Sequence, residues 1–258
     1  MTFERALYSV SPHYISNSGK DENGKYSGGL AGDQSGHEWE IRKWYNRPWT
    51  CVLRFADITA ALTIARFAFD AANNDAIGYD QDQRLTFWKQ LEKSGYNPAN
   101  ITTKCEEDCS AGVAGIIKAT GYYLNIQCLK SISPSLTSRN MKSALIAAGF
   151  TALTASKYTS SPNYLLPGDI LLYENHHVAT NISYGCMVTP TTGDTVLVTG
   201  KSVHIRLGPS TTYKSIAIAH AGDIFAYLGS DSNNWHNITY STEYPNCWIS
   251  GRYSKLVN

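Results

Sequence analysis

The chain predicts an α+β fold, helices packed on an antiparallel sheet, followed by a small all-β barrel. Three observations carry this. Between residues 57 and 148, apolar side chains recur at helical spacing in four segments. Between 165 and 182, two strand-like runs are joined by the turn Glu174-Asn175-His176. From 199 to 258 only short β-type runs remain, separated by turn residues. Helices gathered ahead of strands point to α+β, whereas strict alternation would give a parallel sheet.

Residues 1–36 are rich in Gly, Ser, Asn and Asp and read as surface turns with a short hairpin. Glu38–Arg42 and Trp49–Arg54 then alternate as two strands around the turn Asn46-Arg47-Pro48. Asp57 caps the first helix, whose Ile58, Leu62, Ile64, Ala65, Phe67, Ala68 and Phe69 share a broad face ending near Asn73-Asn74. A second helix runs over 81–93, with Leu85, Trp88 and Leu91 inward and Gly95 as its stop. The third starts at Asp108-Cys109, carries Val113, Ile116 and Ile117, and stops at Gly121. The fourth spans 138–148, with Met141, Leu145 and Ile146 apolar and Gly149 at its end. Leu165–Asp169 is a turn feeding a buried strand, Ile170–Tyr173, and His177–Ile182 is its neighbour. Thr189–Val196 turns to Thr, Gly and Pro and reads as a linker between a first domain, 1–195, and a second, 199–258.

Composition narrows the function. With 22 basic and 21 acidic residues the net charge is +1, which argues against a dedicated nucleic-acid binder. No run reaches the roughly 18 apolar residues of a membrane span, so no membrane insertion is expected. The opening Met1–Tyr8 lacks the basic-then-apolar order of a secretory signal. Cysteines 51, 105, 109, 128, 186 and 247 are dispersed and fit reduced thiols of a cytosolic product. Cys105 and Cys109 have no second pair at zinc-ligand spacing, and no cofactor is called for.

The chemistry centres on Lys104–Gly115. Asp108 or the residues just before it cap a helix start that puts Cys109 in or beside the first turn, where unpaired N–H groups and the positive end of the helix dipole favour a thiolate. A free thiol has a pKa of about 8.5, and such a site predicts a lowered value, in the range of roughly 3.5–7.5. Ser110, Ala111, Gly112 and Ala114 leave room for another element to approach the same turn. A buried Cys is ordinarily an inert core residue, so the reactive reading depends on a base. Of seven histidines, His204, His220 and His236 read as barrel surface, and His13 and His37 lie in the turn-rich start. His176 and His177 open a strand, and alternation lets only one face a given partner. His177 shares its face with Ala179 and Asn181, a small and polar set suited to a groove. His176 shares its own with Val178 and Thr180. His177 is therefore the chosen base.

Asp108-Cys109-Ser110, then Pro167-Gly168-Asp169-Ile170-Leu171 and His177-Val178-Ala179, 68 positions beyond the Cys, resemble the NlpC-type papain-like cysteine peptidases of bacterial wall turnover. Ser202–Ser210, Gly222-Asp223 and Trp248–Tyr253 resemble bacterial SH3-like wall-binding domains, and Gly32-Asp33-Gln34 to Trp49 resembles the N-terminal part of phage lysins. The combination looks like a phage endolysin. The resemblance implies a papain-like catalytic domain, peptidoglycan as partner and a monomer. It also implies synthesis in the host cytoplasm without a signal peptide, with action on the wall after release. It implies Cys109 as nucleophile, His177 as proton carrier, Asp108 and Ser110 as substrate contacts, and Tyr79 as the tyrosine framing the site. Beyond the base the family places a His, where this chain has Thr189. Asn181 lies four residues along the strand, about 13 Å from His177, too far to orient its ring. That role stays open, with Thr189 as a candidate. In the barrel, Tyr213, Tyr227, Trp235 and Tyr240 are available to stack on wall peptides or glycans, although Trp235 and Trp248 read first as core. The implied reaction is endopeptidase cleavage after the γ-linked D-residue of the stem peptide. An N-acetylmuramoyl-L-alanine amidase would use the same pair. A wall-binding or phage structural protein with a vestigial site is the reading of another class.

Overall fold

A computed structural model of the chain describes residues 1–7, 9, 12–185, 195–241, 244 and 246–257. The chain divides into two compact units, Met1–Cys186 and Met187–Asn258.

In the first unit, α1 (Phe3–Leu7), β1 (Tyr14–Ser18), β2 (Trp39–Lys43) and β3 (Cys51–Arg54) precede α2 (Ile58–Ala71). Next come β4 (Ile77–Tyr79), α3 (Thr86–Lys93), β5 (Cys105–Glu107), α4 (Cys109–Leu124), α5 (Gln127–Lys130) and α6 (Met141–Ala147). The unit closes with β6 (Thr151–Leu153), α7 (Ser156–Thr159), β7 (Ile170–Tyr173) and β8 (His177–Asn181). Six strands form one antiparallel sheet in the order β2-β1-β8-β7-β3-β6, and β4 and β5 form a separate parallel pair. On one face Leu53, Ile170, Leu172 and Val178 pack against Ile64, Ala68, Val113 and Ile117 of the helices. On the other, Ile15, Val52, Leu171 and Ala179 meet Trp49 and Leu165. The sheet is covered on both sides, which is why β8 is buried at every residue.

The capping rules hold where they are local. Asp57 accepts from the Ala60 N–H at the start of α2, and Asp108 accepts from Ser110 and Ala111 at the start of α4. Helix α4 does not stop at Gly121. It continues to Leu124 and ends on Asn125 in the left-handed region (φ 59°). Gly121 instead lets α5 approach: a Cβ there would lie 2.5 Å from the Lys130 amide nitrogen. Leu85, expected inward, is 38% exposed, and Phe87 takes the inward place on α3; on α6 Met141 and Leu145 are buried while Ile146 is 46% exposed.

The N-terminal segment departs most from the sequence reading. Turns and bends occupy much of 22–36 as expected, but Tyr14–Ser18 is not a surface turn: β1 is an interior strand, hydrogen-bonded to β2 on one side and β8 on the other. Nor are β2 and β3 neighbours, since β1, β8 and β7 lie between them. The loop after β1 is pinned by carboxylates that accept backbone N–H groups. Asp21 takes Asn23 and Lys25, Asp33 takes Ser35, Gly36 and Glu38, and Glu106 takes Gly32. Gly32 sits at φ +81°, and a Cβ on Gly78 of β4 would come within 2.6 Å of its carbonyl carbon, so both positions require glycine.

The second unit is a seven-stranded sheet of β9 (Thr195–Val198), β10 (Val203–Arg206), β11 (Ser215–Ala219), β12 (Ile224–Ser230), β13 (Trp235–Thr239), β14 (Cys247–Ser250) and β15 (Ser254–Val257). Their order is β11-β10-β14-β13-β12-β9-β15 around Val196, Val198, Val203, Ile205, Ile238 and Ile249. Thr195 and Val196, read as linker, are strand. Trp248 is core and Trp235 half-buried. His204 and His220 are exposed, but His236 is not on the surface: it is buried, with Nδ1 3.0 Å from Ser254 Oγ. Thr189 lies outside the described residues.

Candidate active site

Cys109 is the first residue of α4. The Asp108 carboxylate caps the helix through Oδ1 (2.9 Å to Ser110 N, 2.8 Å to Ala111 N) and pairs through Oδ2 with Arg84 Nε at 2.7 Å. Arg84 Nη2 donates to Ser110 Oγ (3.0 Å), and Ser110 donates in turn to Asp108 (2.7 Å). The two residues flanking the thiol thus direct their polar atoms to the helix start and to Arg84. Gly112 explains the small-residue pattern: a Cβ there would lie 2.1 Å from Glu107 Oε2 and 3.0 Å from the Trp39 ring. That turn is bare because β2 and β5 occupy the space.

His177 opens β8. Ile15 pairs with Asn181 and Ser16 with Thr180, so alternation brings Asn17 onto the face that His177 occupies. His177 Nε2 lies 2.8 Å from Asn17 Oδ1. An amide oxygen only accepts, so Nε2 carries the hydrogen and the lone pair is left on Nδ1. Tyr45 donates its hydroxyl to the same Oδ1 (3.1 Å), and Arg47 Nη1 donates to Tyr45 (3.1 Å). The Trp49 ring lies 6.1 Å from the imidazole at 31° and shields it. His176 also lines the cleft that His177 faces, with its ring stacked on Tyr173 at 4.2 Å. Asn181 is occupied far from the His177 ring: its Oδ1 is 2.6 Å from Nε2 of His13, which is buried and not in a surface turn.

Cys109, His177, Asn17, Tyr79 and Gln81 line one open cleft of about 450 Å³. Tyr79 belongs to β4, and its hydroxyl accepts from Gln81 Nε2 at 3.0 Å. Cys109 is half-buried and His177 buried. Tyr213 belongs to the second unit, half-buried with its ring against Gly208.

Burial pushes the Cys109 thiol up to about 12, and the carboxylates of Asp108 and Glu107 push the same way, with the Val178 backbone and Arg84 opposing. Burial lowers His177 to about 3, and the charges of Arg47 and Arg42 add to this. The helix start alone predicts a lowered thiol. Desolvation and two neighbouring carboxylates outweigh it, so at neutral pH a thiol and a neutral imidazole share the cleft. Burial raises the Tyr79 phenol far above its ordinary value, which keeps it a hydrogen-bond donor.

Asn17, Tyr45, Arg47 and Trp49 escaped the sequence reading. Asn17 stands 160 residues from His177, in a stretch whose composition resembles turns, and no local pattern marks it. Among the described residues, no group of three or more His, Cys, Asp or Glu side chains could hold a metal ion, and no helix is long and apolar enough to cross a membrane.

A helix-borne thiol and an imidazole tied to an amide thus share one open cleft, a pairing of residue types that can supply a nucleophile and a base. Residues 15–188, from β1 to beyond β8, match the family model described as endolysin-like domain. The chain belongs to the endolysin-like domain family, which suggests a peptidoglycan hydrolase acting on the cell wall. No curated protein matches it.

Proposed function

We propose that the chain is a papain-like, thiol-dependent peptidoglycan hydrolase of NlpC type that cuts an amide of the stem peptide. The observation that carries this is the convergence of Cys109 and Asn17-tethered His177 in one open cleft. Cys109 Sγ attacks the amide carbonyl carbon while its proton passes to His177 Nδ1. The N–H of Cys109, which has no intrahelical partner at the first position of α4, faces the developing oxyanion, and the Tyr79–Gln81 pair borders the same space. As the C–N bond breaks, the imidazolium gives its proton to the leaving amine, and a thioester remains. Water then adds to the thioester, His177 takes its proton, and the departing sulfur is reprotonated. Asn17 holds the tautomer that makes each transfer possible. Asp108 and Ser110 serve by building the helix start.

The bond we favour lies between the γ-linked D-glutamyl residue and the diamino acid. Met187–Asn258 is then an SH3-like module that holds the enzyme on the wall. Mass spectrometry of digested peptidoglycan tests the proposal. A new amine on the diamino acid is the expected product, one on L-Ala would make the protein an amidase, and Cys109→Ala must abolish either. A Cys109→Ala protein that clears walls as fast as the parent refutes the thiol mechanism.

A further inference from the structure

Charge along the cleft is unbalanced. Arg42 meets Glu40 at 3.4 Å, and His37 reaches the same carboxylate at 3.6 Å. Arg47 and Lys20 line the cleft as well, yet among the described residues neither has a carboxylate within ion-pair distance. Arg47 has the Tyr45 hydroxyl at 3.1 Å and the Tyr173 ring at 5.9 Å, and the Lys20 ammonium lies 5.6 Å from the Tyr26 ring. Basic and acidic residues nearly cancel over the whole chain, 22 against 21, so this surplus is local to the cleft.

Arg47 also stands at the end of a hydrogen-bonded chain, Arg47–Tyr45–Asn17–His177, and its charge acts on the imidazole, so an anion held there is coupled to the base. Tyr45 occupies only Nη1. The remaining edge of the guanidinium, Nε and Nη2, has the fork geometry that matches a carboxylate.

We propose that Arg47, seconded by Lys20, is the specificity-determining cation of the cleft and binds a free carboxylate on the substrate residue that supplies the scissile carbonyl. This rests on the reading of the cleft as an amide-hydrolysing site. A γ-linked residue carries such a carboxylate on its α-carbon, one side chain's length from the amide. The bound anion does more than anchor the substrate. It offsets the positive field of Arg47 on His177, so the imidazole accepts the thiol proton more readily than in the empty site.

The test uses two synthetic stem peptides that differ only at that residue, one with the α-carboxylate and one with a carboxamide. The intact protein is expected to prefer the carboxylate by about tenfold or more in kcat/KM. Arg47→Gln brings the ratio close to one, and Arg47→Lys, which keeps charge but not the fork, leaves it in between. Thermal unfolding of both variants confirms that they fold. Calorimetric binding of the same peptides to Cys109→Ala reads the preference without turnover. Equal binding of the two peptides, or a preference that survives Arg47→Gln, overturns the assignment. Carboxylate-selective binding without hydrolysis by the parent sinks the hydrolase reading and leaves the recognition site standing.

Discussion

Asn17→Ala isolates the positioning of the base. In the parent, His177 Nε2 donates to Asn17 Oδ1 at 2.8 Å, and the two residues are only 6% and 7% exposed, so water does not readily replace the lost acceptor. A buried donor left unpaired costs about 1–3 kcal/mol, and here the loss falls on the catalytic tautomer, because nothing then selects Nε2–H over Nδ1–H. A drop of about 10- to 100-fold in kcat follows, with KM little changed, since Asn17 holds the base and not the anchoring groups. Tyr45 loses its acceptor as well, which lowers the melting temperature by a few degrees. The assay is steady-state hydrolysis of a soluble stem peptide, with thermal unfolding as control and Asn17→Gln as the variant that keeps the amide. Full kcat in a folded Asn17→Ala protein would refute the assignment of Asn17 as the orienting group.

Three further outcomes follow from the geometry. With the thiol pushed up to about 12 and the imidazole lowered to about 3, alkylation of Cys109 by iodoacetamide, read on its own tryptic peptide, keeps rising through pH 9; a plateau below pH 7 would mean a thiolate–imidazolium pair. Burial, with Glu38 and Asp80 nearby, raises Glu106 from 4.5 to about 7, so the folded state holds that proton more tightly than the unfolded chain. Stability is then full below the unfolded value and lost as pH rises from about 4.5 to 7, by up to about 3 kcal/mol, and Glu106→Gln should raise the melting temperature more at pH 8 than at pH 4. An equal gain at both pH values would contradict the shift. Gly168 sits at φ +81° with room for no side chain, a Cβ falling 2.1 Å from the Ala61 carbonyl oxygen; Gly168→Ala should cost about 2–4 kcal/mol in urea unfolding, and a loss under 0.5 kcal/mol would refute the packing.

What the sequence made legible was local chemistry. Asp57 and Asp108 announce their helices because a cap is decided within three residues, and alternation along a single strand separates His177 from His176. The extent of α4 was misread at Gly121 because that glycine answers to α5, a tertiary neighbour, and not to the helix end. Strand β1 was invisible for the same kind of reason. Tyr14-Ile15-Ser16-Asn17-Ser18 has one aliphatic residue, and its strand character comes from β2 and β8, the latter more than 150 residues away. The site inherits that blindness. Its thiol and imidazole are marked by motif, while the Asn17 amide that holds the imidazole and the Tyr45–Arg47 support exist only once the sheet has formed.

The threading of β1 between β2 and β8 has a consequence for synthesis. A ribosome emits Asn17 and Cys109 long before His177, and the imidazole finds its amide only when the last strand of the unit zips against the first. Until that closure the emerging polypeptide carries a sulfhydryl with no oriented acceptor for its hydrogen. Assembly of the proposed Cys109–His177–Asn17 site therefore depends on completion of the sheet.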